Sequence, residues 1–167
     1  MSEVSVRRAT LADSETLIRL MEGLAAYEKL TPPDEAAKER FRAHLAEGKR
    51  FEAVLAEASG EAIGYALYFE SYSTFRANPK LYMEDIFVEP AHRKSGAGFA
   101  LFKAVVKEAD RRGCVAVEWQ VLDWNQLAIG FYERVGGRHE KQWPPYTLGR
   151  AEMDTLLDRH SREGGNP

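Results

Sequence analysis

The chain has 167 residues, 44% hydrophobic and 11% aromatic, enough for one domain and short for two at about 150 residues per domain. A chain of this length buries roughly 70% of its unfolded surface, so a core needs no disulfides and wholesale disorder is excluded. With 23 Lys+Arg against 26 Asp+Glu, the net charge of −3 argues against a nucleic-acid surface but leaves room for one basic pocket.

A short strand is predicted at residues 3–8, with Asp13 as the following helix N-cap. Leu17, Ile18, Met21, Leu24 and Ala25 then recur at the spacing of an amphipathic helix that runs to about residue 30. Thr31-Pro32-Pro33 stops it. A second helix over 34–47 carries Ala37, Phe41, His44 and Leu45 on one face. Residues 51–57 and 62–70 are strand-like, and Ser59-Gly60-Glu61 between them reads as a hairpin turn. A polar link at 71–79 precedes a strong strand at 80–88. A glycine-bearing turn, Arg93 to Gly98, opens a helix whose predicted buried side is Phe99, Phe102, Val105, Val106 and Ala109. Residues 114–122 read as a strand. Asp123-Trp124-Asn125 turns into a helix carrying Ala128, Phe131, Tyr132 and Val135, which stops at Gly136-Gly137. Two weaker strands are expected at 138–142 and 146–149. This order predicts an α/β (α+β) domain, a mixed sheet with helices on both faces. Residues 1–160 are expected to form that single domain, and 161–167 a disordered tail.

Cys114 is the single cysteine, so no internal disulfide is possible and a reducing, cytoplasmic compartment is expected. None of His44, His92, His139 and His160 pairs with another or with Cys114 at ligand spacing, and no metal is expected. The first fifteen residues hold no apolar run, and no stretch approaches the roughly eighteen apolar residues of a membrane span.

In Arg93-Lys94-Ser95-Gly96-Ala97-Gly98, small residues let backbone N–H groups point inward where a helix begins, which suits a pyrophosphate. The mononucleotide loop's Gly-Lys-Ser/Thr ending is missing, and Leu101 stands where the dinucleotide fingerprint needs its third glycine. The residues alone fit a tight turn that needs glycine equally well.

Tyr82-Met83-Glu84-Asp85-Ile86-Phe87-Val88, then Arg93-x-x-Gly96-x-Gly98, Trp124-Asn125 and Gly130-Phe131-Tyr132-Glu133-Arg134, resembles the GNAT acetyltransferases. The similarity is closest to the diamine (spermidine/spermine) branch, which Arg7-Arg8-Ala9-Thr10, Asp13 and Ala26-Tyr27-Glu28 also resemble. The resemblance implies the GNAT fold, a twisted, mostly antiparallel sheet of about 6–7 strands. It implies acetyl-CoA as co-substrate, its pyrophosphate held by N–H groups from Lys94 through Ser95, Gly96, Ala97 and Gly98 to Phe99, beside Arg93. The pantetheine arm would pair along Ile86, Phe87 and Val88, with Asn125, Gln126 and Ala128 on its far side. Lys94 departs from the branch, which usually has glycine there. A homodimer is expected by the same analogy.

Transfer from a thioester to an amine needs a base, because an unperturbed alkylammonium has a pKa of about 10.4. It also needs a donor for the carbonyl oxygen and an acid for the leaving thiolate. Strand alternation predicts Tyr82, Glu84, Ile86 and Val88 on one face and Met83, Asp85 and Phe87 on the other, so that Glu84 and Asp85 form no close dyad. Glu84 is the candidate base, through a water; the other reading is a carboxylate that only anchors a cation. Asp85 reads as a buried acid supporting the sheet. Tyr132 reads from spacing as a core residue, and the resemblance makes it the acid. The oxyanion donor is expected to be a backbone N–H near Phe87 or Val88. Cys114 reads as a small core residue.

By resemblance, Tyr27, Glu28, Glu84, Glu118, Trp119 and Gln120 match acceptor positions. Carboxylates beside aromatic rings suit an alkylammonium ion; singly, Glu28 could equally be solvated and Trp119 a packing residue. Ser73-Thr74-Phe75-Arg76 and Pro144 replace acidic and aromatic residues of the polyamine enzymes, which favours a small primary amine such as a lysine analogue over spermine. The rival readings are an acetyltransferase of protein lysines or N-termini and a non-catalytic acyl-CoA sensor.

Overall fold

The computed structural model describes residues 3–163. Two compact units divide the chain, Met1–Gln120 and Val121–Pro167.

The first unit carries strands β1 (Val4–Arg8), β2 (Glu52–Ala58), β3 (Glu61–Ser73), β4 (Asn78–Val88) and β5 (Val117–Glu118), with helices α1 (Ser14–Glu28), α2 (Glu35–Glu47) and α3 (Ala97–Arg111). The strands lie in sequence order in one sheet, antiparallel except for the parallel pair β4–β5. Ser59 and Gly60 turn β2 into β3 with φ of 52° and 83°, the positive pair that suits a tight hairpin. The polar link expected at 71–79 is mostly strand: Ser71 pairs with Lys80 and Ser73 with Asn78, leaving only a short tip.

Two layers cover the sheet. Leu55, Tyr65 and Phe87 stack across β2, β3 and β4 and form one core with Leu17 and Leu20 of α1, against which Phe41 and Phe51 also pack. A Cβ added at Gly23 of α1 would meet the Phe87 ring, whereas one at Gly98 of α3 would approach Val88. Adjacent strand residues point to opposite faces, so α1 and α3 lie on opposite sides. On α3 the buried stripe is Ala97, Leu101, Phe102, Val105 and Ala109, while Phe99 and Val106 are 53% and 41% exposed. Phe102, Val105 and Ala109 are buried as the sequence predicts, and Phe99 and Val106 are the two that are not. The i, i+4, i+8 row through Ala97, Leu101, Val105 and Ala109 faces the sheet, and the bulky Phe99 falls outside it.

β5 is far shorter than the strand expected over 114–122. Val115 N–H donates to Pro79 O and Leu81 N–H to Ala116 O, and pairing with β4 ends at Tyr82–Glu118. The sheet therefore has five strands rather than six or seven, and beyond Tyr82 the outer edge of β4 has no strand beside it among the described residues.

The second unit holds α4 (Gln126–Arg134) and α5 (Arg150–Glu163). The strands expected at 138–142 and 146–149 are absent from it. Pro144 and Pro145 remove two ladder donors, and Trp143 and Tyr146 are 78% and 94% exposed, so no face is buried to fix a register. The sequence reading had no helix at α5, which absorbs Ser161 to Glu163 of the expected tail; the remainder of that tail lies outside the described residues.

The phase of α3 yields a direct test. Leu101→Ala should cost about 2–5 kcal/mol in urea unfolding, and Phe99→Ala less than about 1 kcal/mol. Reversed magnitudes would restore Phe99 to the buried side expected from the sequence.

Candidate active site

The site in the first unit rests on an irregularity in β4. Leu67 of β3 pairs with Asp85 but Tyr68 pairs with Met83, a register shift that leaves Glu84 as an extra residue. A bulge of this kind breaks the alternation of side chains. Asp85 follows Phe87 onto the α1 side, where its carboxylate accepts a hydrogen bond from the Tyr65 hydroxyl at 3.0 Å. Met83 follows Tyr68 onto the α3 side, where the Arg112 guanidinium lies over the Tyr68 ring. Tyr82 pairs with Phe69 and packs on its ring, back on the α1 side. The alternation expected for residues 82–88 therefore fails at Glu84.

Electrostatics places Glu84 in the same group. Burial pushes the Asp85 carboxyl up to about 6; the Glu84 and Glu28 charges add to the rise, and the Tyr65 hydrogen bond opposes it. Burial, then Asp85, then Glu28 and Glu84 push the Tyr65 phenol up. Glu28 is half-buried at the end of α1, and burial raises its carboxyl too. Asp85 and Tyr65 thus form a hydrogen-bonded pair that feels the charges of Glu28 and Glu84, and the bulge removes the strict alternation from which Glu84 and Asp85 were expected on opposite faces. The sequence reading missed Tyr65 and left Asp85 structural, because a bulge comes from cross-strand register and has no residue signature of its own.

The bulge also turns the backbone. Glu89 N–H donates to Ile63 O at 2.9 Å, so by alternation Phe87 and Asp85 direct their polar groups to β3, while Ile86 and Val88 direct theirs outward. Phe87, a candidate cofactor contact, spends its backbone on β3 and its ring on the α1 core. Val88 keeps an outward N–H.

At the end of β4 a one-turn 3₁₀ segment, Pro90–His92, leads to the glycine turn. Gly96, the N-cap of α3, has φ 91°, and Lys94 holds φ 66°, a left-handed conformation that costs a non-glycine residue roughly 1–2 kcal/mol. This is the position where the sequence departs from the usual glycine. Ala97 N–H meets the Ser95 hydroxyl at 3.3 Å, and the first-turn N–H groups of Gly98 and Phe99 have no intrahelical partner. Gly98 has no positive φ, and a Cβ there would meet nothing nearer than Val88 Cγ2 at 3.9 Å. Neither backbone nor packing demands glycine at Gly98. The space it leaves beside two helix-start amides is a cradle a phosphate can fill.

Other candidates fall in different surroundings. The Arg93 guanidinium lies over the Tyr27 ring, 4.2 Å from its centroid. Glu118 is exposed and paired with Lys80 Nζ at 2.8 Å. Trp119 packs edge-on against Phe102 of α3 at 5.4 Å, and Gln120 is exposed. Arg76 occupies the tip between β3 and β4, on the order of 25 Å from Glu84 along a strand rising about 3.3 Å per residue. In the second unit Asn125 caps α4, its side chain accepting from Ala128 N–H at 3.2 Å, and Gln126 donates to Asp123 O at 3.1 Å. Tyr132 is buried, its ring 5.4 Å from that of Phe131. Burial pushes the Cys114 thiol up, which disfavours the thiolate a nucleophile requires.

The first unit thus brings together a strand edge with outward amides, a helix start whose amides can accept an anion, and the carboxylates of Glu84 and Asp85. Residues 17–137 match the acetyltransferase (GNAT) family. The chain is 35% identical to the thialysine N-epsilon-acetyltransferase of Bos taurus over 147 residues, 83% of this chain and 86% of the other. It is 44% identical to the L-ornithine N5-acetyltransferase of Arabidopsis thaliana over 80 residues, 48% of this chain and 35% of that one. An integron cassette protein from the mobile metagenome of V. cholerae shares the fold, with TM-score 0.78 at 20% identity over 94% of this chain and 98% of its own. The chain belongs to the GNAT acetyltransferase family, whose members use acetyl-CoA as co-substrate.

The raised Asp85 carboxyl has a measurable consequence. Its native pKa of about 6 lies above the ordinary aspartate value of 3.8, so its contribution to stability is complete below pH 3.8 and is lost as pH rises through about 6. Going from about pH 5 to about pH 7.5, the wild type should lose about 1–2 kcal/mol relative to Asp85→Asn in urea unfolding. Identical pH dependence in the two proteins would contradict the cluster.

Proposed function

We propose that this protein moves the acetyl group of acetyl-CoA directly onto the side-chain amine of a small, lysine- or ornithine-like amino acid. The observation that carries this reading is the hydrogen bond from Tyr65 to the Asp85 carboxylate at 3.0 Å, at the bulge of β4, with the Glu84 and Glu28 charges acting on both groups. Glu84 is exposed while Asp85 and Glu28 are partly buried, and an alkylammonium ion beside them relieves the repulsion among like charges. The two relatives whose names specify thialysine and ornithine support an amino-acid acceptor.

Acetyl-CoA supplies the thioester. Gly98 and Phe99 amides hold its phosphates, with Lys94 adding counter-charge, and the outward backbone of Ile86 pairs with its pantetheine arm. Glu84, through a water, takes the proton from the substrate ammonium, and the freed amine forms a C–N bond to the thioester carbon. Val88 N–H donates to the carbonyl oxygen as charge develops on it. As the C–S bond breaks, Tyr132 gives its phenolic proton to the departing sulfur; this role rests on the resemblance carried by residues 130–134. Asp85 holds the acceptor's charge beside Glu84.

A homodimer is part of the same reading. It is supported by the exposed apolar side chains Trp143, Tyr146, Leu148, Leu156 and Leu157 of the second unit. Cytoplasmic residence is supported by the lone Cys114. No helix among the described residues is long and apolar enough to cross a membrane.

A thiol-release assay with acetyl-CoA and ornithine, lysine, thialysine, putrescine, spermine and a lysine-containing peptide tests the proposal. The amino acids should give the highest kcat/KM, and Tyr132→Phe should lower kcat about 10²-fold or more with the KM for acetyl-CoA nearly unchanged. Turnover confined to the peptide, or to spermine, would contradict the acceptor class. Full turnover in Tyr132→Phe would remove that residue from the chemistry.

A further inference from the structure

The charge of Arg93 reads from sequence as a contact for phosphate, but its guanidinium is engaged elsewhere. Its Nε donates to the carbonyl oxygen of Val88 at 3.2 Å, and its Cζ lies 4.2 Å from the centroid of the Tyr27 ring. The Val88 carbonyl is one of the outward-facing groups of β4. Tyr27 stands on the last turn of α1, next to Glu28 and packed against the core of that side. One planar cation therefore touches the donor's strand edge and the acceptor's wall together. A second fastening ties the same two elements: Arg19 of α1 pairs with Glu89, the residue after Val88, and its Nη2 donates to Ala62 O at 2.9 Å.

We infer that the Tyr27 ring and the Arg93 guanidinium form a strut coupling the acceptor wall to the acetyl-CoA edge, which makes Tyr27 a positioning residue for the cofactor. The inference rests on acetyl-CoA lying along β4, as proposed above. With the ring present, Arg93 is held flat over it and fixes the end of β4 and the turn that begins at Lys94. Without the ring the guanidinium turns to water, and the Val88 carbonyl and the turn must be ordered when the cofactor binds. The attraction uses the face of the ring rather than its hydroxyl. Phenylalanine can therefore replace Tyr27 in this role, and leucine cannot. Lysine cannot replace Arg93, because an ammonium lacks the planar stacking surface.

Calorimetric titration of the full chain with CoA, in the absence of any amine, tests the strut. Tyr27→Leu should weaken CoA binding by about fivefold or more, and Tyr27→Phe should stay within about twofold of wild type. In an Arg93→Ala background, Tyr27→Leu should change CoA affinity by less than about twofold, because the partner is already gone. Additive losses in the double variant would overturn the inference. So would a Tyr27→Leu protein with wild-type CoA affinity whose only defect is a raised amine KM. Should Tyr27→Leu melt below the assay temperature, Arg93→Lys carries the test: an approximately fivefold loss of CoA affinity supports the strut, and wild-type affinity overturns it. A wild-type chain that does not bind CoA would instead overturn the acetyl-CoA reading from which the inference starts.

Discussion

One residue too many in β4 sets the geometry of the candidate site. Had β3 and β4 paired without interruption, Glu84 and Asp85 would face opposite helices, and the backbone groups of Ile86 and Val88 would point into the sheet. The register shift at Leu67/Tyr68 reverses both outcomes. It brings Glu84 and Asp85 to the Tyr65 side, and it turns the amides of Ile86 and Val88 toward an edge that β5 has already left. The placement of the candidate base Glu84 and an unpaired strand edge thus arise from the same local event. That event costs a ladder hydrogen bond, and the long hairpin pairing on either side of it stabilises it.

The two ends of the binding edge use opposite electrostatics. At the α3 start, backbone N–H groups and Lys94 favour an anion. At the Tyr65 end, burial, with the Glu84 and Glu28 charges adding to it, raises the Asp85 carboxyl to about 6. The net charge of −3 is the sum of these opposed sites and a surface of ordinary ion pairs, such as Arg7–Asp13 and Arg42–Glu15. Arg93, which the family resemblance places beside the phosphates, is stacked on Tyr27 and bonded to Val88.

What the sequence made legible is whatever local chemistry determines. The spacing of Leu17, Ile18 and Met21 and the Ser59-Gly60 turn each stabilise their element regardless of distant partners. The glycine turn was legible for the same reason, since Gly96 needs its positive φ. The bulge at Glu84 was not, because register is a property of two strands. Nor were the strands expected near Pro144 and Pro145, where β-prone residues found no edge to pair with. Phe99 shows a third limit: a large apolar side chain at a helix start attracts assignment to the core, yet the row of Ala97, Leu101 and Val105 covers the sheet.

Amide hydrogen exchange followed by NMR, with and without saturating acetyl-CoA, tests the bulge and its consequence most directly. The amides of Asp85 and Phe87, already bonded to β3, should exchange slowly in both states. Those of Ile86 and Val88 should exchange fast in the free protein and slow by about tenfold or more when acetyl-CoA is bound. Protection that instead falls on Phe87, or Ile86 and Val88 amides that stay fast at saturation, would contradict the strand edge on which the account depends.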